Sequence, residues 1–220
     1  MNKQILPDEN DWDNFWKLDS AKRFTRTSWS KKRICRILDL FVGKDKKVLD
    51  AGCGSGFFSK YFCDKGAKVF SLDYSDEALQ IAKRITNGKT EVLKKDLLSP
   101  NISADIHEKF DLIFTDGLFE HFSSGEQDII FNNLFSMISS EGVIVTFVPN
   151  KFSPWELIRP FYMPGIKEAP FVLSGLVELN ERNGAKIIYK GGLNVFPFAL
   201  SPDNLFGHLF GMLLFTIAKK

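Results

Sequence analysis

Apolar and polar positions along this chain switch repeatedly between a helical and a strand period. Residues 1–27 are mostly polar and carry Trp12, Phe15, Trp16 and Phe24, which predicts a helix-like or irregular arm. Behind a capping Ser28 or Ser30, the positions Trp29, Ile34, Ile37, Leu38 and Phe41 make one stripe, predicting a helix over 28–42 ended by Gly43. A first strand is predicted at 47–51, followed by a helix lined by Phe57, Phe58, Tyr61 and Phe62 that stops at Gly66. The pattern then predicts a strand at 68–72, a helix capped by Asp73-Tyr74-Ser75, and a third strand at 90–94 running on to Asp96. It repeats with a continuously apolar strand at 110–115, an amphipathic helix at 127–139 and a β-branched strand at 142–148. Strands alternating with helices predict an α/β fold whose parallel sheet is covered on both faces.

The rhythm breaks after residue 150. Prolines 154, 160, 164 and 170 predict an irregular excursion, followed by a helix at 171–183 and a strand at 186–189. A second excursion, 191–210, precedes a last strand at 212–218. The length of 220 residues suits one domain: a helical cap over 1–43, a ligand-binding core over 44–150, and a substrate side over 151–220.

Composition adds little to this picture until the charge is located. The chain is 44% hydrophobic and 25% charged with net charge +2, too little to call for a polyanionic partner. Residues 21–36, however, hold Lys22, Arg23, Arg26, Lys31, Lys32, Arg33 and Arg36 with no acid. That run reads as a solvated helix face, or as a contact for an anionic substrate, a membrane or RNA. Three cysteines without metal-ligand spacing, and a start without the apolar core of a signal peptide, lead to the expectation of a reducing, cytoplasmic setting. The longest apolar tract, 205–218, is too short to span a bilayer, so membrane contact could only be peripheral. No metal site is legible, and a monomer and a homodimer remain equally open.

The chemistry lies at the strand ends. Val48-Leu49-Asp50-Ala51-Gly52-Cys53-Gly54-Ser55-Gly56 is a buried strand running into a glycine turn and a helix. Asp50 at the mouth of the turn would repel a pyrophosphate and favour a sulfonium or ammonium. The third glycine of a dinucleotide fingerprint is due at position 57, where Phe57 stands. Asp50, Asp73, Asp96 and Asp116 each close a successive strand, describing an acidic rim above the sheet. Asp73, 21 residues beyond Gly52, suits the two ribose hydroxyls of an adenosine ligand, with Tyr74 to pack on the base. Asp96 and Leu97 fall beside the adenine, and Asp116-Gly117 near the cationic end of such a ligand.

These residues, together with Phe110-Asp111-Leu112-Ile113 and Glu120-His121, make the chain resemble the class I S-adenosylmethionine-dependent methyltransferases over about residues 28–190. The nearest flavour is the small-molecule group that includes the ubiquinone and menaquinone biosynthesis enzymes. The resemblance implies a Rossmann-like, doubly wound seven-stranded sheet, mostly parallel with an antiparallel last strand. It also implies S-adenosylmethionine as cofactor, S-adenosylhomocysteine as product, and Gly52, Gly54 and the Asp116 backbone at the methionine moiety. Motifs of amino-directed and cytosine-C5 DNA methyltransferases and of protein arginine methyltransferases are missing. His121 is the candidate base for a hydroxyl acceptor, or else a structural residue opening the next helix. The excursion 151–170 should overhang the methyl group with Phe152, Trp155, Phe161, Tyr162 and Met163, beside Glu156, Lys167 and Arg159 as an anion contact. The expected acceptor is a small, partly apolar molecule. An RNA acceptor using the basic run, and a cofactor-binding protein without catalysis, are the rival readings.

Overall fold

The computed structural model describes residues 9–162, 166 and 168–220, with the side chains of Ser20 and Tyr162 excepted. The chain opens with α1 (Glu9–Lys17), a 3-10 turn at Asp19–Thr25, and α2 (Trp29–Leu38). It then alternates through β1 (Lys47–Ala51), α3 (Phe57–Asp64), β2 (Lys68–Asp73), α4 (Asp76–Ile85), β3 (Glu91–Lys94), α5 (Ile102–Ile106) and β4 (Phe110–Asp116). The second half runs α6 (Ser124–Ser136), β5 (Ile138–Pro149), α7 (Arg159–Tyr162), α8 (Leu173–Arg182), β6 (Lys186–Leu193), α9 (Asp203–Phe210) and β7 (Leu213–Lys219).

The seven strands lie in the order β3-β2-β1-β4-β5-β7-β6. β1 to β5 run parallel to one another, while β7 runs antiparallel to both β5 and β6. Successive strand residues point to opposite faces, and the sequence fills both. Leu49, Phe70, Ile113 and Ile144 pack under α6 and α8, through Phe131, Leu134 and Leu176. Val48, Val69, Leu112, Phe114 and Val145 pack under α2 and α3, through Ile34, Leu38, Phe58 and Phe62. Two buried faces explain why these strands read as unbroken apolar runs. The strand order reverses between β1 and β4, so a crevice opens above their carboxyl ends.

The differences from the expected elements have local causes. Ser28, not Ser30, caps α2 by accepting the Lys31 N–H at 3.2 Å. Trp29 does not join the buried stripe; it is 41% exposed, because it occupies the first position of the helix, beyond the sheet. α6 ends three residues earlier than expected because Phe110 N–H bonds to the Met137 carbonyl and draws Ile138 into β5. The excursion 191–210 is not irregular throughout. β6 continues through Gly191 and Gly192, and a Cβ on Gly192 would stand 2.0 Å from the Gly207 carbonyl oxygen of α9. Paired glycines let that helix lie directly on the strand, a packing signal that hydrophobic periodicity does not carry.

Candidate functional site

The glycine turn between β1 and α3 is held by its neighbours rather than by itself. Gly52 and Cys53 N–H both donate to the Leu72 carbonyl, at 2.8 and 3.0 Å. Gly54 and Gly56 sit at φ +46° and +66°, in the left-handed region open to glycine. A Cβ on Gly56 would lie 2.5 Å from Ala82 Cα in α4, so this glycine supplies the close helix packing that the fingerprint lacks at Phe57. A Cβ on Gly54 would lie 2.6 Å from the Trp16 ring, which roofs the turn.

The acidic rim exists, with unequal members. Asp50 is 3% exposed and accepts from Ser59 Oγ at 2.5 Å. Burial, reinforced by Asp116 and Asp73, pushes its carboxyl up to about 7 against the pull of the Ser59 hydrogen bonds. Asp73 binds the turn itself: one oxygen accepts from Gly54 N–H at 2.9 Å, the other from Ser75 N–H at 3.0 Å. Burial raises its pKa to about 6, and each oxygen keeps a lone pair for a further donor. Asp116 is likewise raised to about 6 by burial, opposed by Lys31. Asp96 differs: it is exposed at the lip and accepts from Leu98 N–H at 2.8 Å, while Leu97 beside it is buried. The rim is therefore three sheltered carboxyls and one solvated one. Burial holds all three sheltered carboxyls above the usual carboxylate range, and a cation beside them favours the ionised form.

Above the rim, one cavity of about 1260 Å³ takes in Asp50, Gly52, Gly54, Asp73, Tyr74, Asp96, Leu97, Asp116 and Gly117 at one end. At the other it reaches His121, Trp155, Arg159 and Glu168. That exceeds the roughly 300–1,000 Å³ of an ordinary single-ligand pocket, leaving room for two molecules.

His121 does not open a helix. It closes a 3-10 turn, Phe119–His121, ahead of α6, is 5% exposed, and meets the Trp12 ring edge-on at 4.9 Å. Its Nε2 stands 3.9 Å from Glu120 Oε1 and 4.0 Å from Glu168 Oε2. Arg159 is not an open anion contact: its Nε lies 2.6 Å from Glu168 Oε1 and 3.2 Å from Glu156 Oε2. Burial and the Glu168 charge hold Glu120 well above the usual carboxylate range, and burial lifts Glu168 to about 7 despite Arg159. Glu120, His121 and Glu168 offer donors within 4.8 Å of one another, a set able to hold a cation, although no metal-ligand spacing announced it. Trp155 lines the wall, its N–H on Ser153 Oγ at 3.2 Å. Met163, Lys167 and the Tyr162 side chain, expected over the methyl group, lie outside the described residues.

Several wall residues were not foreseen. The arm roofs the cavity: Asp13 accepts from Ser75 Oγ, and Ser55 Oγ donates to the Phe24 carbonyl at 2.8 Å. The i, i+3, i+4 spacing of Trp12, Phe15 and Trp16 was the available signal. Lys31, brought down to about 8 mainly by burial, donates to the Phe24 carbonyl and faces Asp116. Asn194, at φ +63°, accepts from Arg33 Nη1, which leaves its buried Nδ2 without a hydrogen-bond acceptor among the described residues.

This fold, with its strand order reversing between β1 and β4, is similar to that of solved S-adenosylmethionine-dependent methyltransferases. Residues 48–142 match the model of a methyltransferase domain. The ubiquinone biosynthesis O-methyltransferase of Pelagibacter ubique (strain HTCC1062) is 31% identical over 110 residues, covering 49% of this chain and 44% of the relative. A methyltransferase structure from Anabaena variabilis superposes with TM-score 0.71 at 20% identity, covering 100% of this chain and 98% of its own. The N-methyltransferase NodS of Bradyrhizobium japonicum, in complex with S-adenosyl-L-homocysteine, gives TM-score 0.69 at 15% identity, covering 96% and 97%. The chain matches less than half the length of the first curated relatives, 39% and 44%. Among the described residues no helix is long and apolar enough to cross a membrane.

Proposed function

We propose that the protein transfers a methyl group from S-adenosylmethionine to a small, partly apolar acceptor. The observation that carries this reading is the single cavity with a glycine-and-carboxyl cradle at one end and an aromatic, histidine-bearing wall at the other. The cradle fits the cofactor: Gly52 and Gly54 let its methionine end approach the backbone, and Asp73 has acceptor capacity for the ribose hydroxyls. Leu97 and Tyr74 flank the adenine, and Asp116 with Gly117 lies nearest the reacting end. When bound, the cofactor supplies an electrophilic methyl on a sulfonium that leaves as a neutral thioether. The protein's part is to orient the acceptor in line and to exclude water, which the Trp12–Trp16 roof and Trp155 do. His121 takes the acceptor's proton on Nε2, and the Glu168 carboxyl, 4.0 Å away, favours the imidazolium that results. An enclosed apolar wall favours a small molecule over RNA. The chain works as one domain, with the described residues before β1 as its cap.

The test is a cofactor-turnover screen against hydroxyl, amine and carbon acceptors, with Asp73→Ala as the control. Loss of cofactor binding in that variant and product with at least one acceptor class are expected. Tight binding with no turnover across the panel would favour a cofactor-binding protein without catalysis.

A further inference from the structure

Two segments that wall the cavity turn large apolar side chains to the solvent on their outer side. Leu157 and Phe161 are 80% and 81% exposed; Phe198, Leu200 and Leu205 are 63%, 88% and 69% exposed. The same segments turn Trp155, Ile158, Val195 and Pro197 to the cavity. Asn150 ties them together, its Nδ2 donating to the carbonyls of Leu209 and Gly211 at 3.2 and 2.9 Å. Single exposed apolar residues are ordinary, but a concentration of this kind around one opening marks a contact surface.

The charge beside it is one-sided. Arg33 of α2 donates to Asn194 Oδ1 and to the Phe198 carbonyl and pairs with Asp203 at 3.2 Å, which fixes the basic helix against the apolar loop. Trp29, Lys32 and Arg36 fall within about 100° of Arg33 around that helix. All three are exposed, and Lys32 Nζ stands 4.5 Å over the Trp29 ring. The nearby acids Asp203 and Glu156 are drawn inward by Arg33 and Arg159. Solvent therefore meets phenylalanine, leucine and tryptophan bordered by cations.

We propose that this rim seats on an anionic lipid bilayer, the apolar tips entering the headgroup region and Lys32 and Arg36 meeting lipid phosphates. Apolar tips flanked by basic residues are what such an interface selects. A two-fold contact between copies would set the cationic border against itself. RNA offers no counterpart for Leu200 and Leu205. Docked this way, the protein presents the mouth of its cavity to the lipid.

Vesicle flotation of the full chain tests this. The probes are vesicles of phosphatidylcholine alone and of phosphatidylcholine with phosphatidylglycerol in equal parts. Binding to the second, weakened by salt, is expected. F198S/L200S and K32E/R36E should each lower that partition about tenfold, with circular dichroism and cofactor affinity unchanged. Equal partition into both vesicles, no partition, or undiminished partition in both variants overturns the proposal. So does light scattering in which the wild type dimerises and F198S/L200S does not, since the face then belongs to a second copy. Because the readout is lipid partition, it is independent of whether methyl transfer is found.

Discussion

At the cofactor end of the cavity, the wall comes from residues 50–117, taken in order from four consecutive strand ends. At the acceptor end it is assembled from residues 12–31, 118–126, 149–159, Glu168 and 194–213, which meet only because the sheet reverses and the arm folds back. Backbone groups do most of the holding at the first: Leu72 carbonyl, Gly54 N–H and Ser75 N–H are fixed by the ladder and the turn. Side chains far apart in the chain do it at the second, as in Arg159 with Glu168 and Arg33 with Asn194. A site of backbone geometry depends on small residues at set positions; a site of long-range side-chain contacts depends on the whole packing.

Three variants probe that contrast. Gly54→Val should damage the cofactor end most, because a Cβ there would meet Trp16 at 2.6 Å at a φ of +46°. Cofactor affinity, read by calorimetry, should fall about 1000-fold, roughly 4 kcal/mol. An affinity near wild type would mean that the turn is not the cradle. His121→Asn should separate the two ends the other way. Turnover of a hydroxyl acceptor should drop about 100-fold and lose its acidic pH limb, while cofactor affinity stays the same. Unchanged turnover would remove His121 from the chemistry.

The smallest effect concerns Asp50, whose pKa rises from 3.8 unfolded to about 7 folded. With the folded pKa raised, its contribution to stability is fully present below pH ~4 and is lost as pH rises through ~7. Without cofactor, the wild type should therefore lose stability relative to Asp50→Asn across that window, measured by denaturant titration at several pH values. A cationic ligand reverses the preference by favouring the ionised carboxylate. The variant should accordingly be more stable at pH 8 yet bind S-adenosylmethionine less well. If both proteins titrate in parallel, Asp50 does not carry the proton.

Much of the cofactor end was legible before the structure, for a reason visible in the residues. Val48 to Gly56 and Asp73 act through local turn geometry and through a strand partner one crossover away, and such relations leave a spacing in the chain. Even so, the four aspartates were not equal: burial separates Asp50 and Asp73 from the solvated Asp96, and no spacing shows burial. Arg159 read as an anion contact until Glu156 and Glu168 were found beside it. Asn194 and the α9 packing were invisible because a positive φ on an asparagine and a contact between Gly192 and Gly207 have no periodic signature.

The succession of strands and helices along the chain, the glycine turn, and the acids above it were determined by the sequence itself, because alternating apolar periods and a strand-turn-helix unit are local properties. The company of Glu120, His121 and Glu168, the Trp16 roof over Gly54, and the basic helix beside the exposed phenylalanines were decided only by the tertiary structure. Those contacts join residues from opposite ends of the chain, and only the packing of the arm and the last strands against the sheet brings them together.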